Sequence, residues 1–158
     1  MTLNPIAAAR VALGLTLGVL ATAGCNFAAT TAAKPNPIVG TWIVKDAAAP
    51  FPYHMYVFNA DGTLQQANPD AGDPNSSDSD GKGVWVADRD RIKGKWVEIT
   101  ADRATHQYSG RTEISFDVRV SSDTYTGSES VSSYGTDGTL NYGPTRPTLL
   151  EGKRVTLP

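Results

Sequence analysis

Alternation of apolar and polar positions with period two dominates this chain, and it is cleanest between residues 111 and 120. Thr112, Ile114, Phe116, Val118 and Val120 fall on one side, while Arg111, Glu113, Ser115, Asp117 and Arg119 fall on the other. Five successive pairs of this kind describe a half-buried antiparallel strand, not a helix. Shorter stretches of the same character predict strands at residues 39–44, 53–58, 63–67, 84–86, 92–101, 106–120, 124–134, 140–142 and 153–157. Turn-forming residues separate them: Pro50 and Pro52, the run Asn59-Ala60-Asp61-Gly62, and residues 88–91, 102–105, 121–123 and 136–139. Gly110 is expected at a bulge or bend within its strand. Residues 68–83, NPDAGDPNSSDSDGKG, carry two prolines and many Asp and Ser, and are expected outside the sheet as an exposed loop.

A meander of eight or nine short antiparallel strands has one common way to lose both unpaired edges, which is to close on itself. The expected fold is therefore all-β, a single antiparallel closed barrel of eight to nine strands. An interior of that size either fills with side chains or holds one small ligand.

The N-terminus has a different pattern. Arg10 precedes an apolar run over residues 11–21, about half the length needed to cross a bilayer. Ala21, Ala23 and Gly24 then lead to Cys25, the chain's single cysteine. This is the layout of an export signal over residues 1–24. TAGC resembles the bacterial lipobox, with Thr22 in place of the usual aliphatic residue, so Cys25 is a candidate for lipidation and membrane anchoring at the cell envelope. Plain secretion, with cleavage after Ala23 or Ala33, is the alternative. Residues 25–37 read as a flexible tether, and residues 38–158 as the folded domain.

Composition narrows the function classes. Fourteen basic residues against sixteen acidic ones give a net charge of −2 with no basic stripe, so nucleic acid is not an expected partner. Without cysteine after residue 25, the domain has no disulfide, no thiolate zinc site and no cysteine nucleophile.

Gly40-Thr41-Trp42 at the first strand resembles the GxW signature of lipocalins and lipocalin-like proteins. The segments FNADGTLQQ, GKWVEITAD and GRTEISFDVRV are similar to small bacterial barrels of the lipocalin-like and allene-oxide-cyclase-like group, part of the wider calycin class. The resemblance spans residues 38–157. It implies that Trp42 closes one end of the barrel and that Arg154, near the last strand, stacks on it. Trp85 and Trp96 have no place in that signature.

Candidate chemistry is sparse. His54 and His106 lie far apart with no metal-ligand spacing, so no metal or other cofactor is expected. His54 shares a strand face with Tyr56 and Phe58, which suggests an aromatic pocket wall, or simply a rim position beside Pro52. Glu98 alternates with Trp96 and Thr100. If that face lines the barrel, Glu98 is a buried carboxyl of raised pKa, able to act as an acid; if Lys95, Val97 and Ile99 line it, Glu98 is solvated. Asp70, Asp73, Asp78 and Asp80 invite a calcium reading, but the glutamate that closes such loops is absent and a solvated loop is the simpler reading. No GxSxG elbow or phosphate-binding glycine loop occurs.

Three functions fit. The first is an exported or lipid-anchored barrel binding a small, largely apolar molecule through His54, Tyr56, Phe58, Trp85 and Trp96. The second is a small cyclase or isomerase working inside the cavity, with His54, Tyr56 and Glu98 as candidate catalytic groups. The third is a structural envelope protein with a solid barrel. A cavity that holds Glu98 or a histidine beside Tyr or Trp donors favours the second, and an apolar cavity without buried ionisable groups favours the first.

Overall fold

The computed structural model describes residues 35–67, 69 and 73–158. Residues 1–24, where an export signal is expected, Cys25 and Asp70 lie outside the described residues. Ten strands follow one another in chain order: β1 (Gly40–Asp46), β2 (Tyr53–Phe58), β3 (Thr63–Ala67), β4 (Ser76–Asp78), β5 (Gly81–Asp88), β6 (Arg91–Asp102), β7 (Tyr108–Ser121), β8 (Thr124–Tyr134), β9 (Leu140–Tyr142) and β10 (Thr148–Arg154). Eight of them, β1, β2, β3, β5, β6, β7, β8 and β10, pair antiparallel in that order. Closure is direct: β10 bonds β8 from Thr148↔Glu129 to Lys153↔Thr124, and bonds β1 from Asp46↔Leu150 to Trp42↔Arg154. The architecture is a closed eight-stranded barrel of the calycin kind, with β4 and β9 as additions.

Two expectations need correction. Residues 68–83 are not all loop. Ser76–Asp78 forms β4 against residues 100–102 of β6, and β5 starts at Gly81. At twelve residues β6 outruns β5, so its far end offers unpaired backbone groups, and these accept a partner whatever its side chains. The final strand is Thr148–Arg154 rather than residues 153–157. Leu150 and Gly152 of that strand point inward while Leu149 is exposed, an alternation that Pro144 and Pro147 just upstream obscure. The bulge near Gly110 is present: Thr100 faces Gly110 and Ala101 faces Tyr108, so Ser109 is the extra residue.

The interior divides into two halves along the barrel axis. In the closed half, Trp42, Val44, Phe58, Leu64, Trp85, Ile92, Phe116, Val118, Tyr125 and Leu150 are buried together. Phe58 sits at its centre, edge-on to Phe116 (5.9 Å), Trp85 (6.0 Å) and Tyr125 (6.3 Å), a geometry worth about 0.5–1.5 kcal/mol per pair beyond burial. Glycines make room for these rings. A Cβ on Gly94 would lie 2.3 Å from Phe116, and one on Gly152 would lie 2.2 Å from Tyr125.

Residues 36–39 cap this end. Ile38 is fully buried, and its carbonyl accepts the Trp42 indole N–H at 2.7 Å. Arg154 lies 4.2 Å over the Trp42 ring and donates to the carbonyls of Val39 (2.8 Å) and Pro37. The two residues that the sequence resemblance pairs are thus in contact. The outer face of the barrel carries ion pairs instead, among them Lys95–Glu113 (2.8 Å), Arg111–Glu113 (2.9 Å) and Arg119–Asp90 (3.1 Å), each of small energetic value in solvent.

Candidate functional site

The other half of the barrel is hollow. Packing stops where each strand changes from large apolar residues to polar or small ones: Trp42 and Val44 give way to Asp46 on β1, Leu64 to Gln66 on β3, and Tyr125 to Glu129 on β8. The space above is a cavity of about 1090 Å³, lined along its walls by Phe51, Tyr56, Trp96, Ile114, Val131 and Tyr142. Its mouth is shaped by the β1–β2 loop, the β9–β10 connection and the segment leading into β4. Each is held by hydrogen bonds: Ala48 N–H to Asp46 (2.8 Å), Val131 N–H to Thr145 (3.0 Å), and Arg103 Nε to the Ser76 carbonyl (2.7 Å).

Polar groups on the floor form a connected chain. Trp96 Nε1 donates to the Tyr56 hydroxyl at 3.0 Å, and that hydroxyl lies 3.5 Å from Glu129 Oε2. Glu129 in turn shares a hydrogen bond with Asp46. Burial is the main reason that Glu129 holds its proton up to about pH 9, and the bond to Asp46 and that group's charge add to it, against a smaller opposing effect of Tyr56. The Tyr56 hydroxyl is pushed well above its ordinary value, first by burial and then by Glu129.

Glu98 faces the cavity with Trp96, so the inward set of β6 is Trp96, Glu98 and Thr100. Burial raises its carboxyl from 4.5 to about 7, the charge of Asp78 pushes the same way, and a hydrogen bond from Thr112 opposes both. His54 also lines the cavity. Its Nδ1 is 3.2 Å from Gln66 Nε2, whose amide is oriented by accepting the Gly81 N–H at 2.9 Å, so Nδ1 is the acceptor and the proton sits on Nε2. Burial lowers the His54 pKa, with the Phe51 carbonyl and Asp46 pulling more weakly the other way, so the ring is neutral at pH 7.

The predicted site residues thus separate. His54, Tyr56, Trp96 and Glu98 line one cavity, whereas Phe58 and Trp85 belong to the packed half and do not. The Trp85 indole N–H bonds the carbonyls of Asn59 (3.1 Å) and Thr63 (3.0 Å), pinning the β2–β3 turn. His106 is not in a strand; it sits exposed in the β6–β7 turn with φ 57° and is not among the residues that line the cavity. Among the described residues, no group of three or more His, Cys, Asp or Glu is arranged to hold a metal ion. Sequence reasoning missed Asp46, Gln66 and Glu129. Each continues the period-two count of its strand from a core residue, so parity marked them once the inward face was known.

Compared with family models, curated proteins and solved structures, the chain gives no match to any of them. What the fold and site define is a class: a closed β-barrel able to enclose a small apolar molecule.

Proposed function

We propose that this chain is an exported barrel, anchored through lipid on Cys25 or secreted, that binds one small, largely apolar molecule in the hollow half of its interior. The observation that carries the reading is the division of the barrel. One half is packed around Phe58 and sealed by Trp42 and Arg154, and the other half keeps about 1090 Å³ free behind aromatic walls. That volume suits a ligand of drug size, and a few polar groups at one end of an apolar cavity are the usual means of orienting such a ligand. The lipocalin-like character of the first and last strands supports the same reading.

A second reading, a cyclase or isomerase, is the one that a cavity holding Glu98 and His54 beside Tyr56 and Trp96 was expected to favour; binding in the cavity is common to both readings and is therefore stated first. Glu98 titrates near neutrality while protonated Glu129 faces the same space, so a base and an acid are both in place for moving a proton across a bound molecule.

Native mass spectrometry of the protein purified from its own envelope fraction tests these readings together. The expected spectrum shows the diacylglyceryl mass on Cys25, or the cleaved unlipidated chain, with a retained small molecule. Incubation of that molecule with fresh protein separates the two: returned unchanged it supports carriage, converted it supports catalysis. A chain without any retained molecule, and to which its envelope extract adds none, overturns both.

A further inference from the structure

The charge around the cavity is one-sided. Among the described residues, its lining includes five carboxyl groups, Asp46, Asp73, Asp78, Glu98 and Glu129, against one guanidinium, Arg146, which lies in the β9–β10 connection. Two of the five form the floor. Asp46 and Glu129 are each 5 % exposed, and a hydrogen bond joins them at the bottom of the chamber. Placing two carboxyls together away from water is costly unless something neutralises them. The proton that Glu129 retains is one such neutraliser.

A second observation points the same way. Tyr125, on the same inward face of β8 as Glu129, is 3 % exposed, and its hydroxyl has no hydrogen-bond partner. It lies near enough to Glu129 for that carboxyl to raise its pKa further after burial. The Tyr56 hydroxyl, which already accepts from Trp96, keeps a second lone pair. The floor therefore offers acceptors from two carboxyls with the Tyr56 phenol oxygen beside them, and an ammonium group carries three N–H donors.

We propose that the ligand's polar end is a protonated primary amine, seated between Asp46 and Glu129 with its apolar body against Tyr56, Trp96 and Phe51. This rests on the cavity being a binding site and names the chemistry that it takes. The cation replaces the retained proton, so binding drives that proton from Glu129 into solvent. The groups facing the pair are consistent with this exchange: His54 is neutral, Tyr56 and Tyr125 keep their protons, Glu98 adds negative charge as it ionises, and Arg146 is in the connecting segment at the mouth. An anionic head group would meet only repulsion at this depth, and an alcohol would leave the pair as it is.

The test uses three probes with one chain length and different heads, octylamine, octan-1-ol and octanoate, titrated calorimetrically into the full chain at about pH 7 in phosphate and in HEPES, neither of which carries a primary amine. The amine is expected to bind about tenfold or more tighter than the alcohol, with octanoate weakest, and to release close to one proton, read from the difference between the buffers. In E129Q the proton release is expected to vanish and the preference for amine over alcohol to shrink. Equal affinity for amine and alcohol, a preference for octanoate, or amine binding without proton release overturns the proposal while leaving the cavity a binding site. Failure of all three probes to bind overturns the binding reading as well.

Discussion

Replacing Glu129 by glutamine isolates the proton held at the cavity floor. In the unfolded chain this carboxyl ionises near 4.5, and in the folded barrel at about 9. Between those values folding takes up a proton, so stability is highest at or below the lower value, falls as pH rises, and levels off above the upper one. One proton corresponds to a slope of about 1.4 kcal/mol per pH unit, so about 3 kcal/mol accumulates between pH 4.5 and 7. That figure is an upper bound, because the cavity opens to water. The E129Q amide keeps a donor for Asp46 and does not titrate. The variant is therefore expected to be more stable than the parent by about 1–3 kcal/mol at pH 7, and no more stable near pH 4.5. Glu98 contributes the same sign between 4.5 and about 7, but it is present in both proteins and cancels in the comparison. Glu113 and Asp117 on the outer face have lowered pKa values, through bonds first to Lys95 and Arg91 respectively, and act in the opposite sense below their ordinary range. Urea unfolding followed by tryptophan fluorescence at about pH 5, 7 and 8.5 gives the slopes. A parent whose stability is flat or rising from pH 5 to 8.5, or a variant with the parent's slope, refutes the assignment.

Two further predictions concern the closed end and the bulge. Arg154→Ala removes the stack on Trp42 and the donors to Val39 and Pro37, with an expected loss of about 1–3 kcal/mol; Arg154→Lys recovers little of it, because an ammonium lacks the planar fork. A melting temperature unchanged in the alanine variant contradicts this role. Gly110→Ala is expected to cost about 2 kcal/mol or more, since φ is +148° and the new Cβ would lie 2.2 Å from the Tyr134 carbonyl oxygen. Gly138→Ala, with φ +81° and nothing within 4 Å, is the control and is expected to cost about 1 kcal/mol. Equal denaturation midpoints for the two variants would show that the close approach at Gly110 carries no weight.

The strand order and the closed end were legible because both rest on local chemistry. Alternation on β7 and the turn at Asn59-Ala60-Asp61-Gly62 are properties of neighbouring residues, and the likeness at Gly40-Thr41-Trp42 pointed to Arg154 across the barrel. The cavity was only partly legible. His54, Tyr56, Trp96 and Glu98 stood out by residue type, but Phe58 and Trp85 stood out for the same reason and are packing residues. Glu129 lies in TYTGSESVSSY, where no local feature separates a floor carboxyl from a solvated one.

By itself, then, the chain's pattern determined an all-β meander, its turns and the parity of its faces, because period two is written residue by residue. Only the tertiary structure decided which parity of β6 points inward, that β4 joins the sheet where prolines and serines argued otherwise, that the last strand begins at Thr148, and how far the core fills the barrel. Those outcomes depend on pairing between segments distant in sequence. Asp46, Glu98 and Glu129 come from three such segments, and they share one cavity only once β10 has bonded both β8 and β1.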